Sequence, residues 1–224
     1  MLFRSVTVTG RSDRTLTIGG FGELPAERTP MQASAWSAST LADGGIDAIS
    51  GLTALDPSTT DAYDAAGYWS IIAVRGFTLD NRFNYQRDGL PINAETAIGF
   101  ENKSRMELLK GTSGMQAGIS APGGLVNLVV KRPVAGQRSA TLQWQQDASW
   151  LASADIGDRS GPDGVFGWRV NLASEQLDPR LQHSEGSRWL AAAATDWRLP
   201  AGGLLEAEVE GRDRKSTRLN SSHL

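Results

Sequence analysis

The stretch Arg105–Pro133, RMELLKGTSGMQAGISAPGGLVNLVVKRP, decides how the rest of the chain is read. It opens with Met106 and Leu108 set against Glu107 and Leu109, the period-2 signature of a β-strand. Glycines at 111, 114, 118, 123 and 124 then break the pattern, where the backbone can take positive φ or pack closely. Leu125 to Val130 (LVNLVV) is too short for a membrane helix and rich in β-branched residues, which predicts a second buried strand. Lys131-Arg132-Pro133 closes it, because proline cannot donate to a ladder. The unit is strand, glycine loop, strand and basic stop.

Composition narrows the classes around that unit. The chain has 224 residues, room for one or two domains, and 40% of them are hydrophobic, so a core is feasible. No run approaches the ~18 apolar residues of a membrane helix. A net charge of −3 argues against a nucleic-acid-binding surface. The absence of cysteine excludes disulfide and cysteine–metal frameworks. Twenty-five glycines and seven tryptophans fit a β-rich chain with glycine turns better than a helical one.

Upstream of the unit, Val6 to Thr9 is a short alternating segment, and Leu16 to Pro30 is punctuated by glycine and proline and reads as loop. Gln32 to Trp36 predicts a strand, followed by a short helix capped by Ser37 or Ser39 and ending near Gly44-Gly45. Ile46, Ile49, Leu52 and Leu55 have the i, i+3 spacing of a second short helix, which Asp56-Pro57 ends. Asp61 to Trp69, Thr78 to Phe83 and Ile92 to Phe100 read as polar loops. Between them lie a strand at Ser70 to Val74, another over 84–87, and the tight-turn pair Asp88-Gly89.

Past Pro133 the texture changes to longer alternating segments: Ser139–Asp147, Trp150–Asp158, Val165–Gln176, Arg188–Leu199 and Leu204–Gly211. In the third, Phe166, Trp168, Val170 and Leu172 share one face, while Gly167, Arg169, Asn171 and Ala173 share the other. In the last, Leu205, Ala207 and Val209 oppose Glu206, Glu208 and Glu210. One greasy and one hydrophilic face suit a membrane barrel wall, and a soluble sandwich shows the same alternation.

Three pieces in register carry a family resemblance: Val74-Arg75-Gly76-Phe77, Asp88-Gly89-Leu90-Pro91, and the stretch from Arg105 to Pro133. Together they resemble the plug domain of TonB-dependent outer-membrane receptors, and GISAPGGLVNLVVKRP is most similar to the siderophore-receptor branch. The resemblance implies an α+β plug domain, a mixed small sheet with short helices, at 6–133. It is followed at 138–212 by antiparallel strands of an incomplete transmembrane β-barrel. About five strands cannot close a barrel around a plug, so this piece is not expected to insert or transport alone. MLFRS at 1–5 and DRKSTRLNSSHL at 213–224 resemble translated sequencing-library adapter and are expected to be non-native.

The resemblance also sets expectations for function. A ferric siderophore is the expected cargo, with its iron already chelated and no resident cofactor. TonB, with its inner-membrane energising complex, would take an extended N-terminal segment by strand addition, for which Val6–Thr9 is the candidate. Outer-membrane lipid is the remaining partner, and the bacterial outer membrane is the implied location. Tyr63, Tyr68, Trp69, Asn81, Arg82, Asn93 and Glu95 lie on the loops of the plug and are the ligand-contact candidates, since aromatic faces, an arginine and amides suit bulky anionic chelates. Arg75, Arg105, Glu107, Lys110 and Arg132 are charges at strand ends expected to pair with carboxylates on the inner barrel wall and hold the plug, the resemblance supporting the first four by position, and Glu206, Glu208 and Glu210 show how such a wall is acidic. Other cargoes (cobalamin, a metal chelate, a glycan) and a soluble β-rich binding protein are the alternatives.

An enzyme finds little support. The only histidines are His183 and His223, no Ser-His-Asp arrangement or His/Cys metal cluster can be drawn, and Lys110-Gly111-Thr112-Ser113-Gly114 lacks the order of a phosphate loop.

Overall fold

The computed structural model describes residues 15–17, 24–25, 28, 31–64, 69–111, 118–144, 149–178, 185–200 and 202–216. Two two-residue strands, β1 (Thr15–Leu16) and β2 (Leu24–Pro25), pair antiparallel within the stretch read as loop. β3 (Ala33–Ser37) leads into the helix α1 (Ala38–Asp43). Ser37 caps α1 by accepting from the Thr40 amide, as its position before the apolar run predicts. A 3₁₀ turn (Ile49–Gly51) and α2 (Leu52–Leu55) follow, and Asp56 takes extended backbone to end them. β4 (Thr59–Asp64), β5 (Ser70–Val74) and β6 (Phe77–Thr78) form a three-stranded antiparallel sheet. β4 therefore corrects the reading of Asp61–Trp69 as loop: Thr59 to Asp64 find their backbone partners on β5.

The central sheet holds β7 (Tyr85–Arg87), β8 (Leu90–Pro91), β9 (Lys103–Lys110) and β10 (Gly124–Val130) in the order β3-β9-β10-β7-β8. Only β10–β7 is parallel, so the sheet is mixed. Asp88 and Gly89 both take positive φ, which makes the tight turn between β7 and β8.

β9 and β10 are covered on both faces, as the unbroken LVNLVV run requires. Met106, Leu108, Val126 and Leu128 pack with Leu41, Ile46, Leu52, Ile72 and Tyr85 in the main core. On the opposite face Leu109 and Leu125 pack with Leu16, Met31 and Ala33. The alternation in β9 thus separates two cores rather than core from solvent, and Glu107 is fully buried. Gly124 sits so close to its neighbour that a Cβ there would lie 2.3 Å from the Leu109 carbonyl oxygen. Gly124→Ala is expected to spread β9 from β10 and destabilise the protein by about 1–3 kcal/mol, read as a lowered urea midpoint.

The second unit is one antiparallel sheet in sequence order. It comprises β11 (Gln137–Trp144), β12 (Trp150–Ser160), β13 (Phe166–Leu177), β14 (Gly186–Arg198) and β15 (Leu204–Ser216). β15 continues four residues beyond the expected boundary at 212. Asp155, Arg169, Asn171, Glu175, Arg188 and Asp196 are buried on its inner face, against the first unit. Leu142, Ile156, Leu172, Leu205 and Val209 are exposed on its outer face.

The aromatic residues of the outer face fall in two bands. Trp144 lies opposite Trp150 at the end bearing the β11–β12 and β13–β14 connections, with Trp189 near their level. Phe166 lies opposite Trp197 at the end bearing the β12–β13 and β14–β15 connections, beside Trp168. Trp189 and Trp197 are eight positions apart on β14. At ~3.3 Å per residue and a tilt of ~40° that separation projects to roughly 20 Å, the scale of the apolar band of a membrane barrel.

Candidate functional site

Two regions combine charge, aromaticity and burial: the seam between the mixed sheet and the inner face of β11–β15, and the loop cluster around Asn81.

The seam is built from buried arginines, lysines and carboxylates. Arg188, 8% exposed, donates through Nη1 and Nη2 to Glu101 at 3.0 and 2.7 Å and through Nε to Glu175 at 2.5 Å. Glu101 lies just before β9 and Glu175 on β13, so one guanidinium joins the two units. Lys103 reaches Glu210 of β15 at 2.8 Å, and Asn102 donates to the same carboxylate at 2.7 Å. Burial above all, with Arg87 and Arg212 nearby, holds the Lys103 pKa below its ordinary value despite the pull of Glu210. Arg87 pairs with Glu208 and, at 3.4 Å, with Glu210. Arg132 sits between Asp88 at 3.0 Å and the wall residues Glu206 and Glu208 at 3.5 and 3.6 Å.

Where the chain leaves the mixed sheet, two arginines of the wall hold consecutive carbonyls. Arg169 is paired bidentately with Asp155 and donates to the Arg132 carbonyl at 2.8 Å. Arg159, paired with Asp196, donates to the Pro133 carbonyl at 3.3 Å. Lys131 adds a bond to Asp155 at 2.9 Å, and Asn171, with its amide oriented to satisfy its neighbours, donates to Asp155 and to the Glu101 carbonyl.

The wall pairs therefore fall on the acidic stripe expected at Glu206, Glu208 and Glu210. Three of the plug-side residues expected to meet the wall have partners nearer home. Lys110 pairs with Asp56 at 2.6 Å, next to Ser58 and Ser34, because Asp56 ends α2 directly beside the end of β9. Arg105 pairs with Glu107 two residues along the same strand face. Glu107 accepts from Thr17, which follows β1, and from Asn127 of β10 as well. Arg75 is exposed in the β5–β6 turn with φ of 53°, its guanidinium near Gly111. Arg87, Lys103 and Arg188 were missed by sequence reasoning, since a lysine at a strand start and an arginine in a hairpin read as solvated charge.

Asp56 is buried, which alone would raise its pKa, but hydrogen bonds from Lys110 and Ser58 outweigh that and leave it below the ordinary 3.8. The stabilisation is therefore full above that ordinary value and lost as pH falls through the lower folded-state value. Asp56→Asn, which leaves Lys110 buried without a counter-charge, is expected to cost about 3–5 kcal/mol near neutral pH. The gap to the parent protein should close as both are titrated toward pH ~3 in denaturation experiments.

The loop cluster is organised by Asn81. Its Nδ2 donates to the carbonyls of Ser70 and Ala94 at 3.3 and 3.0 Å, and its own carbonyl accepts from the Ala94 amide. Asn81 is buried, so this corrects its placement among surface contacts: it ties the loop after β6 to the loop after β8. Around it, Arg82 is exposed, held by Asp80 at 3.0 Å and stacked over Phe83 at 5.2 Å. The hydrogen bond from Arg82 holds the Asp80 carboxyl below its usual range. Asn93 and Glu95 are exposed and bonded to each other, and Tyr63 and Trp69 stack with ring centroids 5.3 Å apart. Tyr68 lies outside the described residues, as does the Val6–Thr9 segment.

A small mixed sheet fixed by buried ion pairs to the hydrophilic face of an antiparallel wall, whose other face is apolar and banded with aromatics, defines a plugged outer-membrane-type β-barrel. Residues 25–125 match the family of the TonB-dependent Receptor Plug Domain. Residues 25–125 thus form a TonB-dependent receptor plug domain, and the strands that follow share the fold of the barrel wall adjoining such a plug.

Among relatives, the chain is 23% identical over 201 residues to the ferrichrome outer membrane transporter/phage receptor of Escherichia coli, covering 87% of this chain and 26% of that protein. It is 37% identical over 110 residues to the metal-pseudopaline receptor CntO of Pseudomonas aeruginosa, covering 47% of this chain and 15% of that one. The pyoverdine outer membrane receptor FpvA of P. aeruginosa superposes with a TM-score of 0.79 at 19% identity, over 89% of this chain and 30% of that one. The chain thus spans about a quarter of the length of the ferrichrome transporter.

Proposed function

We propose that this chain is the plug, over 6–133, and the first wall strands, over 138–212, of a bacterial outer-membrane receptor that imports ferric siderophores with energy from TonB. The observation that carries the reading is a plug seated by buried charge pairs against a membrane-banded wall. Relatives named for ferrichrome and pyoverdine support the cargo class. The reading is transport without covalent chemistry, and the iron enters as part of the cargo rather than as a resident cofactor. Trp69, Tyr63, Arg82, Asn93 and Glu95 would receive the chelate, with Asn81 bracing the loops beneath them and Tyr68 adjoining in sequence. The Val6–Thr9 segment would add as a strand to TonB. Identity of 37% to a metal-pseudopaline receptor favours, as the second reading, a chelate of another metal.

Purified full-length receptor titrated with a panel of ferric chelates is expected to bind one tightly. Arg82→Ala should weaken an anionic chelate by about tenfold, the loss of one charge-assisted contact. A receptor that binds other metal chelates and no ferric one would replace the siderophore reading with the second.

A further inference from the structure

We propose that the outer face of β11–β13 carries a binding site for one phospholipid with a primary-ammonium headgroup, of the phosphatidylethanolamine class. The inference rests on the membrane-wall part of the reading above and is independent of the cargo. A groove of about 520 Å³ lies on that face between Arg138 and Ala140 of β11, Ala154, Ile156 and Asp158 of β12, and Trp168 of β13.

Local sequence makes the groove. Even-numbered positions of these strands share the outer face, and Ala140 stands directly opposite Ala154. Two methyl groups therefore meet in a row whose neighbour carries Arg138 opposite Ile156, and Ile156 opposite Val170. The low row beside a taller one leaves a trough that an acyl chain can fill.

The polar end of the trough sits at the level of an aromatic band. Asp158 lies opposite Trp168, one row from the Phe166–Trp197 pair, and such bands mark the boundary between headgroups and hydrocarbon. Arg138 is exposed and makes no hydrogen bond or salt bridge among the described residues. Asp158 is half engaged: its Oδ1 accepts from the Gly136 and Arg159 amides at 3.2 and 2.8 Å, while its Oδ2 takes no hydrogen bond from the described residues. The two residues are diagonal cross-strand neighbours, a relation that sets side chains roughly 7–8 Å apart at their bases.

The order of these groups along the wall matches the order of groups in the lipid. From the strand ends inward come the Asp158 carboxylate, the Arg138 guanidinium and the Ala140–Ala154 trough. A phosphatidylethanolamine presents, from water inward, an ammonium, a phosphate and the acyl chains. The guanidinium can take the phosphate bidentately, and the free carboxylate oxygen can accept from the ammonium. A choline headgroup has the charge but no N–H to donate, and a glycerol headgroup brings no cation to Asp158.

The test uses the full-length receptor purified in detergent. It would be mixed with equimolar phosphatidylethanolamine, phosphatidylcholine and phosphatidylglycerol of the same acyl chains, and the retained lipids counted by native mass spectrometry. Phosphatidylethanolamine should be retained about three- to fivefold over each of the others, the size of one interfacial ion pair. Asp158→Asn keeps the acceptor oxygen for the two amides and should bring that ratio to about one. Arg138→Gln should lower retention of all three lipids, and Ala140→Phe, which fills the trough without changing charge, should do the same. A parent receptor without preference would overturn the site, and that ratio decides alone should a variant fail to assemble. A preference that survives both Asp158→Asn and Ala140→Phe would overturn it as well. A full-length receptor found only in soluble fractions would overturn the membrane-wall reading and the site with it, a result separable from a membrane-embedded receptor that shows no preference.

Discussion

Arg188→Ala is expected to unseat one edge of the plug in the full-length receptor, at a cost of about 3–5 kcal/mol or somewhat more. Arg188 satisfies two carboxylates at once, the half-buried Glu101 on the plug and the buried Glu175 on the wall. Its removal takes away the one cation bonded to both carboxylates and leaves two like charges facing each other. Arg188→Lys should recover only part of the loss, since one ammonium cannot reproduce three directed N–H bonds. Adding Glu101→Gln to Arg188→Ala should restore part of the stability by removing one orphaned charge, so the double variant loses less than the sum of the two single losses. Gly99→Ala should give a milder form of the same phenotype, because a Cβ there would lie 2.3 Å from Arg188 Nη1 and 2.4 Å from Glu101 Oε2. The readout is hydrogen exchange of the β9 amides, which should lose protection in Arg188→Ala. Unchanged protection would mean that the pair is ornamental to the seating.

The second large effect is expected at Glu107. This carboxylate, with no exposed surface, accepts from the Thr17 amide at 3.0 Å, the Thr17 hydroxyl, Arg105 Nε at 2.8 Å and Asn127 Nδ2 at 3.0 Å. Asn127 in turn accepts from the Gly89 amide in the β7–β8 turn. Glu107→Ala strands these donors together, and the loss of a buried charged acceptor with several partners is expected to cost about 3–5 kcal/mol. Because Thr17 follows directly on β1, the first part to detach should be Thr15–Thr17, exposing the chain there to protease before the rest of the plug unfolds. Glu107→Gln keeps one acceptor oxygen and the shape, and should fall between the two. A variant that unfolds globally with no early cleavage near Thr17 would show that Glu107 supports the sheet as a whole rather than its first strand.

What the sequence discloses and what it hides divides along contact distance. The wall strands and their faces are legible because alternation is a local property, and Phe166, Trp168, Val170 and Leu172 do share the outer face. The acidic inner stripe of Glu206, Glu208 and Glu210 is legible for the same reason. The full choice of cations is not, since Arg87 and Lys103 reach that stripe only through the docking of two units far apart in sequence. Lys110 illustrates the converse. Asp56 reads as a helix terminator, and nothing local announces that the stop is also the counter-charge of a lysine at the end of β9. In the candidate ligand region, exposed Arg82, Asn93 and Glu95 were identified from their residue types. Asn81 has the same chemistry and is instead buried as a brace, a distinction only the fold supplies.

The most direct test is growth. A Gram-negative host stripped of its own siderophore receptors and starved of iron would carry the full-length receptor, with and without TonB, on a panel of ferric siderophores. The account predicts rescue by at least one siderophore, dependent on TonB, with the receptor in the outer membrane. A receptor recovered only in soluble fractions, or rescue that persists without TonB, would contradict it.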